Sequence, residues 1–157
     1  MAGDTSGRVA GIYISPDAAG PMRSVDSVAA VVGRGLEGDR YFAGEGSFSK
    51  ATGEPHRHVT LIESEAIAAV NADYALEVDA GDTRRNVVTE GVALNHLVGR
   101  EFTVGEVRLR GIKLCEPCNH LEEVSGKPLR KAFVHRGGLR AEILDGGTLS
   151  VGDPVEA

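Results

Sequence analysis

Twenty-one glycines cut this 157-residue chain into short apolar segments, each closed by a turn. Aromatic residues make up only 4% of it, so tight turns and close backbone approaches are expected rather than an aromatic-rich core. Residues 8–14 alternate and stop at Ser15-Pro16, the pattern of a strand and its turn. A second apolar run, 25–32, is closed by Gly33-Arg34-Gly35. Residues 58–62 and 86–89 read as further strands. Segment 101–104, a Gly105-Glu106 turn and segment 107–114 read as a hairpin. Residues 139–144 and 148–155 predict a last hairpin across Asp145-Gly146-Gly147. Helical spacing is confined to 63–71, with Ser64 as N-cap and Ile67 and Val70 on one face, and to short turns at 93–98, 117–124 and 129–134. About eight short strands with a few peripheral helices predict a mostly β, closed or partly open barrel, one domain over residues 1–157.

Composition narrows the function classes. Hydrophobic residues at 41% and charged residues at 25% are ordinary for a globular protein. No apolar run approaches the roughly 20 residues that cross a bilayer, so no membrane partner is expected. The start of the chain lacks a basic region followed by an apolar stretch, which points to the cytoplasm and to free thiols. A net charge of -6 argues against broad nucleic-acid binding, though a local basic pocket for a small anion is compatible with it.

Both cysteines fall within Leu114-Cys115-Glu116-Pro117-Cys118-Asn119-His120, where a strand gives way to a helix start. A thiolate is a strong nucleophile and a soft metal ligand, and a helix N-terminus favours that charged form. Two buried small hydrophobes are the bland alternative. A zinc set would use Cys115, Cys118, His120 and a distant ligand, but only one of the two usual paired motifs is present. A dithiol lacks the βαβ context of thioredoxin-like folds. Three basic stretches accompany the pair: Gly38-Asp39-Arg40, Thr83-Arg84-Arg85-Asn86, and Arg136-Gly137-Gly138-Leu139-Arg140. Glycines admit backbone amides to an anion, and arginine forks fit phosphate. Each stretch alone is equally an ordinary turn. Extended backbone at 84–85 would send the two arginines to opposite sides, with different exposure. His56 and His58 would share a strand face, and the glycine-punctuated loop from 40 to 56 is expected to be a mobile lid.

In order, Gly35-Leu36-Glu37-Gly38-Asp39-Arg40-Tyr41, Val59-Thr60-Leu61-Ile62-Glu63, Arg84-Arg85-Asn86-Val87, Glu116-Pro117-Cys118 and Arg136-Gly137-Gly138 resemble the MOSC domain family. The likeness runs from about residue 25 to 155. It implies a barrel-like β fold, in agreement with the strand count. The family's characteristic cysteine aligns with Cys118. In relatives that reduce N-hydroxylated compounds that cysteine ligates molybdenum, and in the sulfurase setting it carries a persulfide sulfur. The resemblance therefore implies molybdenum cofactor (molybdopterin) binding, with Cys118 as catalytic residue and metal ligand. Arg84, Arg85 and Asn86 are expected near the pterin phosphate or the metal. Arg40, Gly38, His58, Arg136 and Arg140 are expected around the same pocket. Cys115 is left as a supporting or resolving thiol. Pyridoxal phosphate belongs to the other half of the sulfurases, and no lysine here has a recognisable Schiff-base setting. A desulfurase or an electron-transfer protein is the implied partner. Storage or delivery of the cofactor without catalysis is the remaining alternative.

Overall fold

A computed structural model describes residues 7–17, 20–40, 42, 58–117, 122–123 and 125–157. Eleven strands lie among them: β1 Gly7–Ile14, β2 Arg23–Val25, β3 Ser27–Val31, β4 Gly35–Leu36, β5 Val59–Glu63, β6 Val87–Glu90, β7 Glu101–Val104, β8 Val107–Leu114, β9 Leu139–Asp145, β10 Gly147–Ser150 and β11 Pro154–Glu156. Seven of them close a ring in the order β1-β11-β7-β8-β9-β5-β6, and the β6–β1 pairing completes it. The β2 strand hangs on β1 outside the ring, while β10-β3-β4 form a separate sheet. Closure removes the open edges that would otherwise pair with other chains.

Alternation sorts the side chains. Val9, Ile12, Val59, Leu61, Val87, Leu109, Leu139, Ala141 and Ile143 point into one core, which Val28, Leu36 and Leu149 of the small sheet join. The opposite face of β5 and β6 supplies Ile62 and Val88 to a second cluster. All ring pairings are antiparallel except β5–β6. A parallel pair needs a crossover, and helix α1, Ser64–Tyr74, lies within it. Ile67 and Val70 of α1 seal the second cluster with Leu129, Ala132 and Phe133 at the one-turn helix α2, Leu129–Ala132.

Several expectations change. Ser64 is the first helical residue rather than the cap. Glu63 occupies the cap position, with no side-chain bond to the helix. Segment 25–32 is divided between β2 and β3, and 93–98 is a 3-10 turn, Leu94–Leu97. The last hairpin does not form. Instead β10 pairs with β3, and β11 pairs with β7 and β1. The chain leaves β9 at Gly146, whose α-carbon lies so close to the Ala30 carbonyl that a Cβ would sit 2.6 Å from it. A glycine there lets the chain cross onto the small sheet. The helix expected at 117–124 falls mostly outside the described residues, as do the 40–56 loop and His56.

Candidate functional site

The polar feature of the barrel wall begins where β6 begins. Asn86 is fully buried and joins two strands. Its Oδ1 accepts from the Thr60 N–H at 3.1 Å and the Thr60 hydroxyl at 3.2 Å, and its Nδ2 donates to the Tyr13 carbonyl at 3.1 Å. Thr60 stands opposite Arg140 on β9, and Arg140 opposite Lys113 on β8. These positions alternate with the core residues Leu139 and Ala141, so Arg140 occupies the outer face.

Arg84 and Arg85 are 6% and 8% exposed, both buried, against the expectation that one would face solvent. The reason is local. Arg84 follows the 3-10 turn Ala80–Thr83 and takes a left-handed conformation, φ 58°, so strand alternation does not yet apply. Its Nη1 donates to the Gly20 carbonyl at 2.5 Å and its Nη2 to the Asp17 carbonyl at 3.3 Å. Arg85 is turned elsewhere. Its Nε donates to the Gly137 carbonyl at 2.7 Å, Nη2 to the Cys115 carbonyl at 2.9 Å and Nη1 to the Thr83 carbonyl at 3.2 Å. Among the described residues no carboxylate pairs with it.

Arg40 completes the group. Gly38, at φ 88°, turns the chain after β4 so that Asp39 and Arg40 enter the wall. The Asp39 carboxylate accepts the Ser15 N–H at 3.0 Å and pairs with Arg40 at 3.1 Å, and its second oxygen is buried without a hydrogen-bond partner. Arg40 also donates to the Arg84 carbonyl at 3.2 Å. Arg40, Arg84, Arg85 and Asn86 thus form one connected seam. Arg84 also lines a cleft of about 480 Å³ with Gly20, Met22, Gly81, Ser125 and two carboxylates, Asp79 and Asp82.

Two expected members stand apart from the seam. Arg136 donates to the Ala132 carbonyl and pairs with Asp73 at 3.1 Å, tying α2 to α1. His58 is buried, and its Nδ1 accepts the Ile143 N–H at 3.2 Å. Burial holds its pKa below the usual 6.5, and the nearby Glu142 carboxylate only partly opposes this. Cys118 and His120 lie outside the described residues. Cys115 is buried, and its N–H donates to the Gly138 carbonyl at 2.7 Å. At Gly137 a Cβ would collide with the Cys115 carbonyl and stand 3.2 Å from the Pro117 ring and 3.4 Å from Arg85 Nη2. Gly137 is therefore the contact that brings the Cys115–Pro117 stretch, the Gly137-Gly138 turn and the Arg85 guanidinium together. Asp39 was missed as a site residue, although an acid between glycine and arginine is the signal for it. Thr60 gives no such signal.

The MOSC domain family model matches residues 49–156, and the chain belongs to that family. Solved structures share the fold. The YuaD protein from Bacillus subtilis aligns at TM-score 0.78 and 18% identity, over 96% of this chain and 94% of that one. YiiM from Geobacillus stearothermophilus aligns at 0.70 and 16%, over 96% and 74%. YiiM from Escherichia coli aligns at 0.67 and 18%, over 95% and 68%. No curated protein matches the sequence. The family is one associated with the molybdenum cofactor. Among the described residues no helix is long and apolar enough to cross a membrane.

The seam fits an anionic group in charge but not in the manner expected. The bonds of Arg84 and Arg85 given above go to backbone carbonyls, which fixes their positions and leaves their charge inside the wall. Arg85, buried with no carboxylate partner among the described residues, favours a neighbouring anion, whether phosphate or thiolate.

Proposed function

We propose that this chain binds the molybdenum cofactor at the seam side of its barrel, with Cys118 as the sulfur that either ligates the metal or carries a transferable sulfur. The observation that carries the reading is Arg85, a buried guanidinium bonded to the carbonyls of Thr83, Cys115 and Gly137. Its charge is held at the Cys115 carbonyl, three residues before Cys118 in sequence, and a sulfur brought beside it would be favoured as thiolate over thiol. Arg84, backed by Arg40 and Asp39, places a second fixed positive charge at the cleft beside Asp79 and Asp82, and it is this charge that would meet a phosphate tail. When bound, the metal supplies two-electron redox chemistry. This chain's own part is to orient the cofactor and hold the sulfur ionised. Reduction of N-hydroxylated compounds would need an electron-transfer partner, and sulfur transfer a desulfurase.

Protein purified from a host that makes the cofactor tests this. Molybdenum and pterin should co-purify with the parent, and Cys118→Ser should lose the metal or, in the sulfur-carrying case, the added sulfur seen by intact mass. Cys115→Ser should retain most of either. A parent free of molybdenum, pterin and persulfide overturns the reading, and equal loss in both serine variants makes the pair a dithiol or zinc unit.

A further inference from the structure

A clasp lies next to the seam, built from residues to which neither the fold nor the family reading gives a role. Glu116 Oε1 accepts the backbone N–H of His135 at 2.7 Å, and Oε2 lies 2.8 Å from His135 Nδ1. An ionised carboxylate only accepts, so Nδ1 carries the proton and Nε2 faces away. His135 takes a left-handed backbone, φ 63°, a conformation unusual for a residue with a Cβ. Its carbonyl is held from the other side by Asn95 Nδ2 at 2.9 Å, which anchors it to the 3-10 turn Leu94–Leu97.

An exposed His–Glu pair alone contributes little, because water screens both charges. Three features set this one apart. The carboxylate is gripped at both oxygens, once by a backbone amide that has no rotamer freedom to lose. The left-handed turn aims that amide at Glu116. The same stretch is fastened again two residues on, through Cys115 N–H to the Gly138 carbonyl and through Arg85 to the carbonyls of Cys115 and Gly137. The Cys115–Pro117 stretch is therefore held from two directions, by the buried arginine within and by Glu116–His135 at the surface.

We infer that Glu116 and His135 are positioning residues, a surface clasp that fixes the segment leading to Cys118 against the Arg85 charge. This rests on the reading of Cys118 as the functional sulfur. Without the clasp, the Arg85 bonds to carbonyls and the Cys115 N–H bond to Gly138 remain, and the Glu116–Pro117 end pivots about them. Glutamine at 116 keeps an acceptor for the His135 amide and, with the ring proton moved to Nε2, a donor to Nδ1, so it should keep the clasp. Alanine removes both contacts.

Hydrogen exchange read on peptides covering 111–117 and 134–139 tests the clasp without any cofactor. Glu116→Ala should speed exchange in both peptides by about tenfold, the equivalent of one hydrogen bond of ordinary net strength, while exchange in β1 and β6 stays as in the parent. Glu116→Gln should restore the parent rates. His135→Gly accepts the left-handed turn, keeps the amide contact and should fall between the two, and it serves if Glu116→Ala does not fold. The positioning role is read on Cys118 by iodoacetamide alkylation at one pH in a Cys115→Ser background. The rate should change several-fold in Glu116→Ala and return in Glu116→Gln. Unchanged exchange in Glu116→Ala overturns the clasp, and changed exchange with an unchanged alkylation rate overturns its positioning role. Absence of molybdenum, pterin and persulfide from the parent defeats the cofactor reading separately, because neither clasp measurement depends on it.

Discussion

Two sets of arginines on this barrel make opposite use of charge. On the outer face of β7, β8 and β9, Arg108 contacts Glu101 at 2.5 Å and Asp145 at 2.6 Å, and Arg110 contacts Glu101 at 3.3 Å and Glu142 at 3.5 Å. The Arg108 pairs of this ladder are short, and most of the side chains in it are 41–61% exposed. In the seam, Arg40 pairs with Asp39 at 3.1 Å with both side chains almost fully buried. Arg85 there has carbonyl partners and no carboxylate among the described residues. Distance alone would rank the ladder as the stronger set. Burial reverses the ranking, because water screens the ladder's charges and not the seam's, and a broken seam contact leaves a buried polar group with nothing to replace it.

The largest expected effect follows from Arg85. Arg85→Met removes the charge and leaves the carbonyls of Thr83, Cys115 and Gly137 without their donors. At about 1 kcal/mol or more for each orphaned acceptor, the loss should be about 3 kcal/mol, read from the guanidinium unfolding midpoint. Arg85→Lys should recover little, since an ammonium does not reproduce a planar fork with three separated acceptors. A loss under about 1 kcal/mol in Arg85→Met would place the seam on the same footing as the ladder.

Asn86→Ala comes next. It removes the acceptor for Thr60 and the donor to the Tyr13 carbonyl, in a side chain with no exposure. An expected cost of about 2 kcal/mol should appear in the same titration. Loss of the link between β1 and β5 should also speed amide exchange at Thr60.

The ladder was open to reading from sequence in its strands: the hairpin of β7 and β8 follows from alternation around Gly105-Glu106. The barrel itself was legible from the count and spacing of short apolar runs. The seam was legible only as residue types. Arg84-Arg85-Asn86 marks a polar interruption before a strand, but the left-handed turn at Arg84 that buries both arginines depends on the 3-10 turn before it and on carbonyls 64 and 67 residues earlier in the chain. The last hairpin failed for a similar reason. Asp145-Gly146-Gly147 has ordinary turn chemistry, and only the close approach of Gly146 to Ala30, across more than a hundred residues, directs β10 to β3. His135 and Glu116 carried no pairing signal, since a left-handed histidine cannot be told from an extended one by its neighbours.

His58 stands outside the seam and adds a pH dependence of its own. Its Nδ1 accepts the Ile143 N–H, a role it loses on protonation, and burial already disfavours the charged form. With the folded pKa below the usual 6.5, the unfolded chain binds the proton first as pH falls. The stability that neutral His58 contributes is complete above about 6.5 and is lost as pH drops through the folded value. His58→Leu should flatten that part of a melting-temperature profile between pH 7 and 5, at the cost of the Ile143 bond, about 1 kcal/mol at neutral pH. A parent profile level across this interval would mean that the ring is protonated with its environment intact.

The smallest effect is expected at the ladder, with the same sign in pH but in a more acid window. Hydrogen bonds from Arg108, then Arg110, hold the Glu101 carboxyl below its usual 4.5. A lowered carboxyl contributes above the unfolded value and loses that contribution as pH falls through the folded one, so Glu101→Gln should differ from the parent at neutral pH and converge with it in acid. The carboxylate is solvated, so added salt should narrow the neutral-pH difference as the charges are screened. Salt should leave the Arg85→Met deficit unchanged, because its lost contacts are buried dipoles rather than exposed charges. Melting temperatures of both variants in low and high salt make the comparison directly. If salt erased the seam deficit as readily as the ladder's, water would have to reach Arg85, and the fixed charge behind the Cys115–Pro117 stretch would be too screened to act on a thiol.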